Sequence, residues 1–153
     1  MPLPFLHRFR ASLRGSKIEH QLARPAAQHS WPLSLLGPEG PQLLPFQVLG
    51  LGEAAPRGPG VFIYARRRSN EWQALYIGES ANMADRLAFN EIAADALLSG
   101  ATDIHVLRLK DDATARRDMV DRLILTNGPP LNEDERLRLA APVTEQNSKT
   151  RAA

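Results

Sequence analysis

Apolar positions along this chain fall into short blocks set apart by polar punctuation, and the period changes from block to block. Val61, Phe62, Ile63 and Tyr64 run together without a polar interruption, as a strand buried on both faces does. A strand is therefore expected over Gly60–Ala65. Trp72–Ile77 reads as a second strand, ended by Gly78, where a backbone must turn or come close to something. The polar stretch Arg66–Glu71 between them reads as a hairpin loop. Ser80 or Asn82 then offers an N-cap, and Ser80–Ser99 reads as helix. Met83 and Leu87 mark one face of it. Ile92, Ala96 and Leu97 continue that face after a phase slip, with a break near Asn90. Gly100 suits the residue just past a helix end.

Asp103–Leu109 is a third, partly alternating strand, followed by a turn at Lys110-Asp111-Asp112. Ala113–Asn127 reads as a long helix whose stripe is Met119, Val120, Leu123 and Ile124. Asn127-Gly128-Pro129-Pro130 stops it. Glu133–Leu139 is a short terminal helix. Upstream, apolar runs at Trp31–Leu36 and Leu43–Leu51 flank the turn signal Gly37-Pro38-Glu39-Gly40-Pro41. They form an N-terminal hairpin that Pro32 and Pro45 confine to an edge, with Ala54–Pro59 as connecting loop.

The order is hairpin, β, β, α, β, α. The fold class expected is α/β, more closely an α+β sandwich: a small three-stranded sheet flanked by helices, with the hairpin as an addition. Residues 1–30 read as a basic, disordered tail, 31–139 as the domain (hairpin 31–51, motif core 59–132), and 140–153 as a second disordered tail.

Composition changes this picture in three places. The 153 residues suit one domain. There is no cysteine, which excludes disulfide frameworks, thiol nucleophiles and Cys-based metal centres and fits a reducing, cytoplasmic location. No apolar run approaches the roughly 20 residues of a membrane span, and no signal-peptide core stands at the N-terminus, so no membrane association is expected. The net charge of +2 invites a nucleic-acid reading. Yet Arg57–Leu139 holds 12 basic and 13 acidic side chains, so the surplus lies at the ends. A nucleic-acid function must rest on local arginines.

Those arginines lie beside recognisable words. Gly60-Val61-Phe62 and Tyr76-Ile77-Gly78 are followed by Asn82-Met83-Ala84-Asp85-Arg86-Leu87, then by Leu123-Ile124 and Pro129-Pro130-Leu131-Asn132. In this order the stretch Pro59–Asn132 resembles the GIY-YIG nuclease superfamily. The resemblance implies metal-dependent hydrolysis of DNA phosphodiesters, with Mg²⁺ or Mn²⁺ as cofactor and DNA as partner. It places Tyr76 at the second tyrosine, Arg86 at the phosphate-binding arginine and Asn132 at the closing asparagine. It also places Phe62 where the first tyrosine belongs and Val120 where the metal-binding glutamate belongs. Two expected catalytic groups are thus replaced. Tyr64 shares the strand face of Phe62 but stands about 6 to 7 Å further along.

For the missing carboxylate the candidates are Asp121, Asp118 and Glu79. Asp121 is one residue on from Val120, about 100° round the helix. Asp118 with Arg122, and Arg117 with Asp121, also make i,i+4 pairs of a solvated helix face. Glu79 also reads as a charge near a helix N-terminus. Arg66, Arg67 and Arg68 are candidate phosphate contacts, or simply a soluble loop. His105 reads as a satisfied strand residue. Two function classes follow: an endonuclease whose activity is weak or lost, or a non-catalytic nucleic-acid-binding or protein-interaction module on the same fold.

Overall fold

The computed structural model describes residues 27–34 and 40–141. The expected basic tail before residue 27, the centre of the turn after Leu36 and the tail from residue 142 lie outside the described residues. The elements in chain order are β1 (Gln28–Leu33), β2 (Gln42–Gly50), β3 (Gly60–Arg68), β4 (Glu71–Ser80), α1 (Met83–Ala88), α2 (Ile92–Leu98), β5 (Asp103–Arg108), α3 (Ala113–Asn127), a single 3-10 turn (Pro130–Asn132) and α4 (Glu133–Leu139).

The α+β class holds, but the sheet has five strands, not three. Its order is β1-β2-β5-β3-β4, and every pairing is antiparallel. The N-terminal hairpin is part of the sheet because β5 has a second edge, which β2 fills from Gln47↔Val106 to Gly50↔Asp103. Pro45 therefore sits in an interior strand. It lies beyond the stretch paired with β5 and opposite Ser30 of β1, so its missing N–H breaks no ladder there. β1 begins at Gln28, within the segment read as tail.

Both sheet faces are covered, which is why β3 is buried from Gly60 through Ala65. On one face Val61, Ile63, Ala74 and Ile77 pack with Trp31, Phe46 and the α3 stripe Val120, Leu123 and Ile124. On the other, Phe62, Tyr64, Leu75 and Ile104 pack with Met83 of α1 and Ala96 of α2. The helical stretch divides at residues 89–91, at the break expected near Asn90, where Asn90 Oδ1 accepts from the Ile92 amide at 3.1 Å. Asp112 caps α3 by accepting from the Ala115 amide at 2.8 Å, and Gly128 ends it in the left-handed region.

The sheet curls strongly toward α3. His29 of β1 and Trp72 of β4 belong to its two outermost strands, yet their rings are 6.0 Å apart. His105 of β5 fills the hollow between them, with Trp72 at 4.5 Å and Trp31 at 5.6 Å.

Candidate functional site

The register of β3 and β4 decides which side chains meet. Phe62 lies opposite Gly78, and Tyr64 lies directly opposite Tyr76. A bulge at Leu75 shifts the pairing just after Tyr64, so Leu75 and Tyr76 both face α1 and α2. The two tyrosines are therefore cross-strand neighbours, and Tyr64 occupies the position facing Tyr76. Phe62 is stacked beside both, with ring centroids 6.1 Å from Tyr64 and 6.2 Å from Tyr76. A Cβ on residue 78 would stand 2.7 Å from Phe62 Cζ and 3.0 Å from Tyr76 Cε1. Gly78 is what lets these rings lie over the strand.

α1 crosses above this pair and brings Arg86. The guanidinium is exposed to solvent, and its charge acts on both hydroxyls. Burial pushes the Tyr64 hydroxyl up from its ordinary value; the hydrogen bond from Asn90 and the charge of Arg86 pull against that. Asn90 Nδ2 donates to Tyr64 Oη at 3.4 Å. Burial and the nearby Glu135 carboxylate push the Tyr76 hydroxyl up, against the opposing pull of Arg86 and Arg117. Both phenols are thus neutral near pH 7. Each can donate a hydrogen bond to an anion, and neither is poised to act as a base.

Asn132 anchors the strand beneath. Its Oδ1 accepts from the Ile77 amide at 2.7 Å and its Nδ2 donates to the Ile77 carbonyl at 3.0 Å. The side-chain amide thereby satisfies backbone groups that the outermost strand turns away from its neighbour. Nδ2 also reaches Glu135 Oε1 at 3.3 Å. Arg117 donates to the other oxygen of that carboxylate and pairs with Asp121 at 3.1 Å. This network runs from α3 through α4 to the strand carrying Tyr76.

The structure thus brings together Tyr64, Tyr76, Arg86 and, from below, Asn132. The other named residues are placed differently. Arg66, Arg67 and Arg68 are not in a loop. They continue β3 opposite Gln73, Trp72 and Glu71, and the turn itself is Ser69-Asn70. Backbone pairing carries the strand past the point where its side chains become polar. Arg66 is bound to Gln73 Oε1 at 2.6 Å and to the Ser99 carbonyl at 3.4 Å. Arg67 lies over the Trp72 ring at 5.7 Å. Arg68 borders a cavity of about 430 Å³ with Trp31, Glu71 and Trp72.

The carboxylates do not converge either. Val120 is fully buried among Leu123, Ile124 and the sheet. Asp118 is paired with Arg122 at 3.1 Å, and Asp121 with Arg117. Glu79 lies opposite Val61, on the α3 face, and holds the buried Arg116 at 2.8 Å. Among the described residues no group of three His, Cys, Asp or Glu side chains is arranged to hold a metal ion. Val120 offers no oxygen donor, and Asp118, Asp121 and Glu79 are each held by an arginine. No helix among the described residues is long and apolar enough to cross a membrane.

Three neighbours of the tyrosines escape a reading of the sequence for site chemistry. Arg117 and Glu135 are 18 residues apart and meet through folding. Asn90 shows in the sequence as a helix break, not as a partner for a phenol. Comparisons with protein-family models, curated proteins and solved structures return no match for this chain.

Proposed function

We propose that this domain binds the phosphodiester backbone of DNA at the Tyr64–Tyr76–Arg86 cluster, without metal-dependent cleavage. The observation that carries the reading is the pairing of Tyr64 with Tyr76 under the charge of Arg86. The half-buried Tyr76 phenol, as a donor, and the exposed Arg86 guanidinium match the oxygens of a phosphate, with Tyr64, only 2% exposed, directly opposite Tyr76 as its support; charge-assisted bonds of this kind are the stronger ones. The resemblance of Pro59–Asn132 to the GIY-YIG superfamily supplies the choice of phosphodiester over other anions.

Cleavage is set aside on chemical grounds. Hydrolysis by that superfamily's route requires a cation to stabilise the developing charge, and here Val120 replaces the carboxylate that would anchor it. The raised phenols leave Tyr64 and Tyr76 as donors and not as activators of water. The deciding experiment measures binding of labelled DNA at low salt, alongside nicking of supercoiled plasmid with EDTA, Mg²⁺ or Mn²⁺, for the wild type and Arg86→Ala. The reading expects binding that Arg86→Ala weakens and equal background nicking in every lane. Metal-dependent nicking lost in Arg86→Ala would make the protein an enzyme. Binding unchanged in Arg86→Ala, or no binding at all, would remove the site from consideration.

A further inference from the structure

Phe89 is 88% exposed, in a chain that buries its other phenylalanines within the described residues, Phe46 and Phe62. It follows the last helical residue of α1, three residues after Arg86. Its backbone (φ −135°, ψ 61°) belongs to neither helix nor strand. The next residue explains that geometry. Asn90 is pegged on two sides, donating through Nδ2 to Tyr64 Oη and accepting through Oδ1 from the Ile92 amide. The chain leaves the helix at Phe89 so that Asn90 can turn inward, and the aromatic ring is left outward on a backbone fixed at its following residue.

We infer that Phe89 is a stacking platform for a base next to the phosphate held by Tyr64, Tyr76 and Arg86, and that the DNA recognised is single-stranded. This rests on the phosphate reading above and adds the form of the ligand. A cation that takes the backbone and an exposed aromatic that takes a base face are the two parts of sequence-tolerant single-strand recognition. In a duplex the base faces are occupied by their neighbours, so an exposed ring finds its partner in unpaired DNA.

The test uses three fluorescent probes at low salt: an oligothymidylate, an abasic oligomer of equal length and charge, and a blunt duplex. Each is titrated with the full-length wild type, Phe89→Ala, Phe89→Trp and Arg86→Ala. Because Phe89 is exposed, Phe89→Ala should fold normally, which circular dichroism checks. The expected result is a loss of about five- to a hundred-fold for Phe89→Ala on oligothymidylate, retention by Phe89→Trp, and no change on the abasic or duplex probes. Arg86→Ala should weaken binding to every probe. If Phe89→Ala binds oligothymidylate like the wild type while Arg86→Ala does not, stacking is overturned and the phosphate site survives. If Arg86→Ala binds all probes like the wild type, the phosphate reading falls and the stacking inference with it. Binding of a protein partner lost in Phe89→Ala, with oligothymidylate binding unaffected, would also overturn the inference.

Discussion

Asn132 closes the free side of β4 by gripping Ile77 at both its amide and its carbonyl, 2.7 and 3.0 Å away. Asn132 is itself 1% exposed, so no solvent stands ready to replace it. Asn132→Ala leaves a buried donor and a buried acceptor unpaired, which costs roughly 2–4 kcal/mol in total. Asn132→Asp keeps the acceptor but sets a carboxylate against the Ile77 carbonyl, and should be at least as damaging. Urea unfolding reads both. A midpoint equal to that of the wild type would show that the edge is closed by other means.

The β3–β4 hairpin also limits what glycine can become. A Cβ at Gly60 would stand 2.4 Å from the Leu107 carbonyl oxygen, and at Gly78 it would meet the Phe62 and Tyr76 rings. Rings can rotate or shift, whereas the Leu107 carbonyl is locked in the β3–β5 pairing. Gly60→Ala should therefore cost more than Gly78→Ala, with overpacking of this kind costing typically about 1–3 kcal/mol. Gly78→Ala should instead show itself in DNA binding, by displacing Tyr76, and Phe62→Leu in that background should restore it. Thermal melts and binding isotherms on the three variants separate the two effects.

His105 makes stability depend on pH. It is fully buried, and its Nδ1 accepts from Trp31 Nε1 at 2.9 Å, so the folded protein holds the neutral imidazole with its proton on Nε2. Burial, with the nearby His29 adding to it, lowers its pKa from the ordinary 6.5 to about 4. Above pH 6.5 neither folded nor unfolded chain protonates here, and the full stability is present. Between 6.5 and 4 the unfolded chain takes up a proton that the folded one refuses, so stability falls as pH falls. The total loss is about 3 kcal/mol, complete below pH 4. Denaturation midpoints from pH 7.5 to 4 should follow that slope in the wild type and flatten in His105→Gln. A slope unchanged by the substitution would assign the acid sensitivity elsewhere.

These residues also mark what can be read from the chain alone. The uninterrupted run Val61–Tyr64 announces a strand covered on both faces, and Asp112 and Gly128 bracket α3 at the ends where capping chemistry puts them. Long-range geometry is not written so locally. Nothing near Trp72 or His29 in sequence says that the sheet curls until their rings approach. The bulge at Leu75 is set by cross-strand pairing, and it decides that Tyr64, and not Ile63, faces Tyr76. Arg66–Arg68 look like loop because polarity is the usual loop signal, while a hairpin that continues to pair needs no apolar side chains at its tip.

The proposed DNA binding at this site should be only weakly dependent on salt. Arg86 is the exposed cation beside the tyrosines, and Arg117 is already shared between Asp121 and Glu135. With one or two phosphates neutralised on a single strand, the slope of log K against log salt should be about −0.7 to −1.4. Arg86→Ala should reduce its magnitude by close to one phosphate. A steep slope retained in Arg86→Ala would place the binding surface elsewhere, with the basic residues near the chain ends as the first place to look.

Installing the two groups that the GIY-YIG resemblance would lead one to expect should fail as a gain of function. Val120 is fully buried, with Leu123, Ile124, Val61, Ile63 and Ile77 in the same apolar cluster. Val120→Glu puts a longer, ionisable side chain into that packing without a cation to meet it. Burying an unpaired charge costs several kcal/mol or forces protonation, and a protonated carboxyl is no metal ligand. Phe62→Tyr fares little better, since Phe62 is 1% exposed and packed edge-on against Tyr64 and tilted against Tyr76. The double variant should therefore lose thermal stability and show no metal-dependent nicking. Mg²⁺-dependent nicking by a variant that melts like the wild type would mean that the core opens to admit a cation after all. It would then be the lack of a carboxylate, and not the filled space around Val120, that keeps the proposed phosphate site from cleaving.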